Sequence, residues 1–323
     1  VLNRPDVRTI YPAVAEGWFD LVHLFNPGDA GSRPWQIAGG LVDDATIVLM
    51  VVALRDRKRD VREVAWYALS PLPVIEFAGN GHVDGLALVL MVGALVALAR
   101  NRRALAGVLI GGAIMIKLYP AVALAAFWRK GRFRMAIAAL VTCVVTEAPH
   151  VIVVGRKVLG YLPGYLKEEH YESGGRFLLL NLLDIHGSWA LRVAVVLLVL
   201  AAVIVAFSRL EPAAGLAILL GALILLATPV QPWYAVVAGG VAVIAGVPSV
   251  LALALAAEPY YATVVLPEKH QVGIGRASHG GAALIVAIAL LWRWRQVRAA
   301  KCASNSRAED AMIHANGGDP GSG

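Results

Sequence analysis

The chain has 323 residues, 59% of them apolar and 16% charged, with a mean hydropathy of +0.68. Soluble domains run near about 45–50% apolar, and here the excess gathers in segments of roughly 15–25 residues, each near the ~20 that cross a bilayer. A soluble domain is therefore excluded. A net charge of +7 and a pI near 9.6 do not point to nucleic acid, because the basic residues sit in short clusters at the ends of apolar spans.

Lipid leaves exposed backbone groups unsatisfied, and the alternation of a membrane β-barrel is missing, so the spans are predicted to be helices and the class all-α. Residues 1–34 form a polar segment with an amphipathic stretch from Val14 to Phe25. The first span is expected from Trp35 to Leu54, followed by the basic run Arg55 to Arg62. A second helix is predicted over Val64 to Phe77, then the polar turn Gly79 to Asp84, then a third helix from Gly85 to Leu98 that ends at Arg100, Arg102 and Arg103. The stretch Leu105 to Trp128 is interrupted by Lys117-Leu118-Tyr119-Pro120 and has basic residues on both flanks. Each half is about 12 residues or about 18 Å long, too short to cross, which predicts a re-entrant pair; one helix kinked at Pro120 is the alternative. Further spans are expected at 135–154, 188–207, 212–229, 232–247, 249–266 and 279–295, with a polar loop from Arg156 to Gly187. About ten hydrophobic helices in all are thus expected over 35–295. The tail 296–323 reads as disordered. Cys143 lies in a span and Cys302 in the tail, which suggests neither a disulfide nor a metal site.

Placing the Arg55–Arg62 run in the cytoplasm and alternating sides puts most Lys and Arg residues on the cytoplasmic face. The N-terminal segment, the Asn80–Asp84 turn, the 156–187 loop, Gln231-Pro232-Trp233-Tyr234 and Glu268-Lys269-His270 then share the opposite face. A polar face over an apolar bundle suits a substrate with a lipid tail and a polar head.

Within Glu76-Phe77-Ala78-Gly79-Asn80-Gly81-His82-Val83-Asp84, the start of a helix offers free N–H groups to an anion. His82 is a donor for a sugar phosphate, and Asp84 or Glu76 is a candidate base or holder of sugar hydroxyls. A plain capping turn accounts for the same residues. Lys117 is an ionisable group at membrane depth, a functional candidate. It either meets a lipid phosphate or pairs with Asp43, Asp44 or Glu147. In the long loop Lys167, His170 and Arg176 are candidate phosphate ligands, and Glu168, Glu169 and Glu172 candidate holders of hydroxyls, against a solvated charge run. Trp233 and Tyr234 serve either an interfacial belt or sugar stacking.

The Glu followed by Gly-Asn-Gly-His-Val-Asp, the Lys-x-x-Pro break at Lys117–Pro120, the loop 164–177 and Gln231-Pro232-Trp233-Tyr234 together resemble the GT-C superfamily. Its members are polyprenyl-phosphate-sugar-dependent glycosyltransferases, and the resemblance is greatest to actinobacterial mannosyltransferase-like proteins. It covers roughly residues 1–295. The resemblance implies inverting transfer of a hexose, mannose above all, from a polyprenyl-phosphate donor to a cell-envelope glycan or glycolipid on the outer face of the plasma membrane, with no cofactor or metal. It also implies a catalytic carboxylate in the first outer loop, after a first transmembrane helix. Residues 3–12 look like the later part of that loop, so the base is expected upstream of Val1 in a truncated reading, with Asp6 as the candidate within the chain. A transporter or flippase is the alternative class; it would place its polar groups at the midplane and often show two similar halves.

Overall fold

The computed structural model describes residues 7–26, 31–171, 173–227, 230–266 and 270–316, with side chains described to 296 apart from a few positions. Among them there is no strand, and the all-α class expected from the sequence stands. The helices in chain order are α1 (Ala13–Leu24), α2 (Arg33–Asp56), the short α3 (Ala65–Ala68) and α4 (Pro71–Pro73), α5 (Asp84–Ala99) and α6 (Arg103–Ile114). Then follow α7 (Val122–Val154), α8 (Leu162–Glu168), α9 (Leu178–Asn181), α10 (Gly187–Phe207), α11 (Pro212–Leu226), α12 (Pro232–Ala245), α13 (Leu251–Val265) and α14 (Gln271–Asn316).

Among the described residues, four stretches are long and apolar enough to cross a membrane: α2, Tyr119–Val154, α10 and Gln271–Trp292 of α14. A fifth is the pair Pro71–Gly79 and Asp84–Ala99, bent by 118°. The expected count of about ten is not reached by this measure, because α6, α11 and α12 are only 12, 15 and 14 residues long. The predicted helix over Val64 to Phe77 is instead a series of short turns. Ser70 caps Leu72 N–H, Pro71 and Pro73 restart the chain, and Val74–Gly79 widens into a π-helix in which Asn80 N–H reaches the Ile75 carbonyl. Prolines lack the N–H that would continue the preceding helix, so the segment breaks there.

The break at Lys117–Pro120 is present. Gly107 lies against Met135 and Ala138, and Gly111 against Ala139 and Thr142, so α6 and the second half of α7 run side by side in one direction. The first half of α7 must therefore run back, and the chain reverses at residues 115–121 and again at Arg132, where φ is +50°. Both flanks of this hairpin reach the same basic end of the bundle, as the re-entrant reading requires.

Helix α5 is buried on nearly every side, as expected of an element that is apolar all round. Its Leu88, Met91 and Leu95 belong to one core with Leu216 and Leu220 of α11 and Val236 and Val241 of α12, and Leu88 lies against Gly240. The outer helix α10 leaves Val196, Leu200 and Ile204 exposed, a surface suited to lipid. At the basic end Arg57 binds Glu211, Arg100 binds Asp56, and Arg59 binds Glu63 and the Ile244 carbonyl. At the other end α1 lies over Val83, Ala87 and Ile116. Its first N–H groups need partners: those of Val14 and Ala15 donate to the Met115 carbonyl, and that of Ala13 donates to Glu147. Helix α14 continues through 296–316, part of the tail expected to be disordered; that stretch is rich in Ala, which favours helix.

Candidate functional site

The polar site forms where α5 begins, where the α6–α7 hairpin turns and where α12 begins. The turn before α5 needs a left-handed residue, supplied by Gly81 at φ +69°. Close approach by α2 sets its position. A Cβ on Gly39 would stand 2.0 Å from the Phe77 carbonyl oxygen, and Gln36 Nε2 donates to the Gly79 carbonyl at 3.0 Å. Asp84, in the first turn of α5, is thereby buried completely.

Lys117 enters from the hairpin break. Its Nζ donates to Asp84 Oδ2 at 2.7 Å and to the Tyr234 hydroxyl at 3.4 Å, while Tyr119 OH donates to Asp84 Oδ1 at 3.3 Å. The same ammonium stands over the rings of Tyr234, Tyr11 and Trp233 at 4.6, 5.6 and 5.8 Å. Such contacts favour a cation. The partner of Lys117 is thus Asp84 rather than Asp43, Asp44 or Glu147: Asp43 accepts from Tyr67 OH at 2.7 Å, and Glu147 serves α1.

A cavity of about 330 Å³ opens beside this group. Leu191, Ala194, Val195 and Leu198 of α10 and Leu223 and Ile224 of α11 give it an apolar wall. Lys117, Arg176, Tyr11, Tyr119, Tyr165, Tyr171 and Tyr234 bring polar groups to it. Arg176 is 6% exposed; its Nη1 is bound by Glu169, and its Nε has no partner. Burial pushes the phenols of Tyr11, Tyr165 and Tyr171 up from their ordinary range, so all three are neutral hydroxyls.

A second group adjoins the first through Trp233, whose indole stacks on His82 at 3.8 Å. His82 Nε2 is 3.3 Å from Glu76 Oε2, Asn80 Nδ2 donates to the same oxygen at 3.5 Å, and Glu258 of α13 lies beside Glu76.

Of the residues expected from the sequence, Asp84, Glu76, Asn80, His82, Lys117, Arg176, Trp233 and Tyr234 come together, with Gln231 just ahead of α12 and Glu169 behind Arg176. Lys167, Glu168 and His170 lie on the exposed side of the loop, Glu168 bonded to Tyr161 OH. Asp6 and Glu172 fall outside the described residues. Sequence reading missed Tyr11, Tyr119, Tyr165 and Tyr171, and did not connect Glu258 with Glu76. A tyrosine two residues after Lys117 was the available signal for Tyr119.

Fold and site define a polytopic membrane protein with a buried cation at the end of an apolar cavity. The model of glycosyltransferase family 87 matches residues 33–229, more than half of the chain, and the chain belongs to that family. It is a GT-C-type family, which makes this protein a membrane glycosyltransferase. No curated protein and no solved structure matches the chain.

Proposed function

We propose that the protein transfers a hexose, mannose in our reading, from a polyprenyl-phosphate donor to a cell-envelope glycan or glycolipid on the extracytoplasmic face of the plasma membrane. The observation that supports this most is the cavity with an apolar wall between α10 and α11 and two cations, Lys117 and Arg176, at its polar side. A lipid phosphate has the same division: a hydrocarbon chain for the wall and an anion for the cations. Arg176 keeps Nε free to donate, and charge-assisted bonds of this kind are the strong ones.

In the reaction an acceptor hydroxyl oxygen bonds to the sugar anomeric carbon, and the bond from that carbon to the phosphate oxygen breaks. Polyprenyl phosphate leaves, and the hydroxyl proton passes to a carboxylate. Lys117 and Arg176 stabilise the charge that builds on the leaving phosphate. Asp84 has one oxygen on Lys117 and the other on Tyr119, which suits it to holding Lys117 better than to taking a proton. Asp6 is the candidate base that the GT-C resemblance offers within the chain.

The test is transfer of labelled mannose from polyprenyl-phospho-mannose in membranes containing the protein. Incorporation into a glycolipid, slowed at sub-saturating donor in Arg176→Gln, is expected. Movement of the donor across the membrane without a new glycosidic bond would overturn the reading in favour of a flippase.

A further inference from the structure

Glu76, His82 and Glu258 form a carboxylate-rich group beside Trp233, next to the cation that our reading gives to the donor phosphate. Glu76 is 1% exposed in a chain whose apolar bundle offers little to a carboxylate, yet three polar side chains point at it. His82 and Asn80 approach one oxygen, and Glu258 lies beside the group.

Three neighbouring polar atoms have no partner: Glu258 Oε1, Trp233 Nε1 and Gln231 Oε1. Buried groups are almost always satisfied, so such atoms ask for a ligand or water. Two of the three accept and one donates. Hydroxyls, which do both, match that set; a phosphate, which only accepts, would meet two acceptors and a carboxyl pair. His82 covers one face of the Trp233 indole, leaving Nε1 at the ring edge as the part that can bond.

We infer that Glu76, Glu258, His82, Asn80, Gln231 and Trp233 form a second subsite, for the hydroxyls of a neutral sugar on the acceptor, divided from the donor phosphate by the His82–Trp233 stack. The inference rests on the proposed transfer reaction and adds Glu258 as a residue that sets acceptor affinity. The two halves lie close enough to serve one reaction, since Trp233 stacks on His82 and its ring stands 5.8 Å from Lys117.

The experiment uses the full protein in membranes, polyprenyl-phospho-mannose as donor, octyl mannoside and octyl glucoside as acceptor probes, and a photoreactive polyprenyl-phosphate analogue to read donor binding. Glu258→Gln is expected to raise the acceptor KM about tenfold, the loss of a bond to a charged group, with donor KM and crosslinking unchanged. Lys117→Met is expected to do the reverse. An unchanged acceptor KM in Glu258→Gln, or an equal rise in donor KM, overturns the subsite. Should Glu258→Gln not accumulate, Gln231→Ala reads the same acceptor KM with the same two outcomes. A wild-type protein that crosslinks the analogue but glycosylates neither probe overturns this inference alone. One that crosslinks no analogue overturns the donor reading beneath it.

Discussion

Lys117 Nζ and Asp84 Oδ2 are 2.7 Å apart, and the pair ties the α6–α7 hairpin to the first turn of α5. Asp84 has no exposed surface and the Lys117 side chain only 14%, so each charge depends on the other. Removing one partner of a buried pair costs about 3–5 kcal/mol, whereas removing both is often close to neutral. Lys117→Met is therefore expected to unfold at markedly lower temperature in detergent, and Lys117→Met with Asp84→Asn to recover most of the loss. A double variant as unstable as the single one would show that the pair does not hold these elements together. Donor KM should stay raised in both.

Arg176 is expected to act on substrate, with Glu169 fixing its direction. Arg176→Gln should raise donor KM roughly 10–100-fold, the equivalent of about 1.5–3 kcal/mol for a bond to a charged group. Glu169→Gln should have a smaller effect, because the guanidinium stays charged and over the Tyr171 ring. Initial rates across donor concentrations settle it; equal effects of the two substitutions would mean that the ion pair is structural and Arg176 does not meet the donor.

The sequence made the bundle legible through span length, and it located the site through segments that share a face. The hairpin at Lys117–Pro120 was readable because two basic flanks stood too close together for a crossing. The region from Val64 to Phe77 was not. Its apolar content passes for a span, and the π-turn sets the Phe77 carbonyl against Gly39 of α2, where a Cβ has no room, a contact between residues 38 positions apart. The Asp84–Lys117 pair and the Glu76–Glu258 contact likewise join distant parts of the chain, and no local pattern encodes them. Lys167, Glu168 and His170 share a charge run with Glu169 and Arg176, and composition alone does not tell which of these faces the cavity.

Close packing of α6 on α7 gives a third prediction. Gly107 and Gly111 are four residues apart, and a Cβ on them would lie 2.3 Å from the Met135 carbonyl and 2.7 Å from that of Ala139. Small residues at this spacing let membrane helices approach closely. Gly107→Val is expected to destabilise by about 1–3 kcal/mol, the usual cost of overpacking, and Gly112→Val, which meets only the flexible end of Leu90, to cost less. Thermal unfolding of the two variants side by side is the measurement, and equal losses would contradict the packing described.

Alkaline pH probes the tyrosines that line the cavity. The phenols of Tyr11, Tyr165 and Tyr171 are raised by burial above their unfolded value of about 10. The folded state therefore holds these protons more tightly than the unfolded chain. Their contribution is fully present below pH ~10 and is lost as pH rises from there through the folded values. Tyr165→Phe should flatten the fall in stability on this limb, read as melting temperature against pH, while leaving neutral pH little changed. An identical alkaline limb in the variant would mean that Tyr165 is not shielded from water.

The last prediction concerns which side the site faces. Gln36, near the start of α2, bonds the Gly79 carbonyl beside Asn80, while Lys58 follows the other end of the same helix. The intervening helix is about 30 Å long at 1.5 Å per residue, which matches the hydrocarbon core. Asn80 and Lys58 therefore stand on opposite sides of the membrane, and both are exposed. Lys167 is exposed as well, in the loop that reaches the cavity beside Tyr11 and Lys117. The basic end carries Arg57, Arg59, Arg100 and Arg129, and the positive-inside rule assigns it to the cytoplasm. With Cys143 and Cys302 replaced by Ser, single cysteines at Asn80 and Lys167 are expected to react with a membrane-impermeant maleimide on intact cells. A cysteine at Lys58 should react only after the membrane is opened. The reverse pattern would place the site in the cytoplasm, where a sugar donor presented on the outer leaflet cannot reach Lys117.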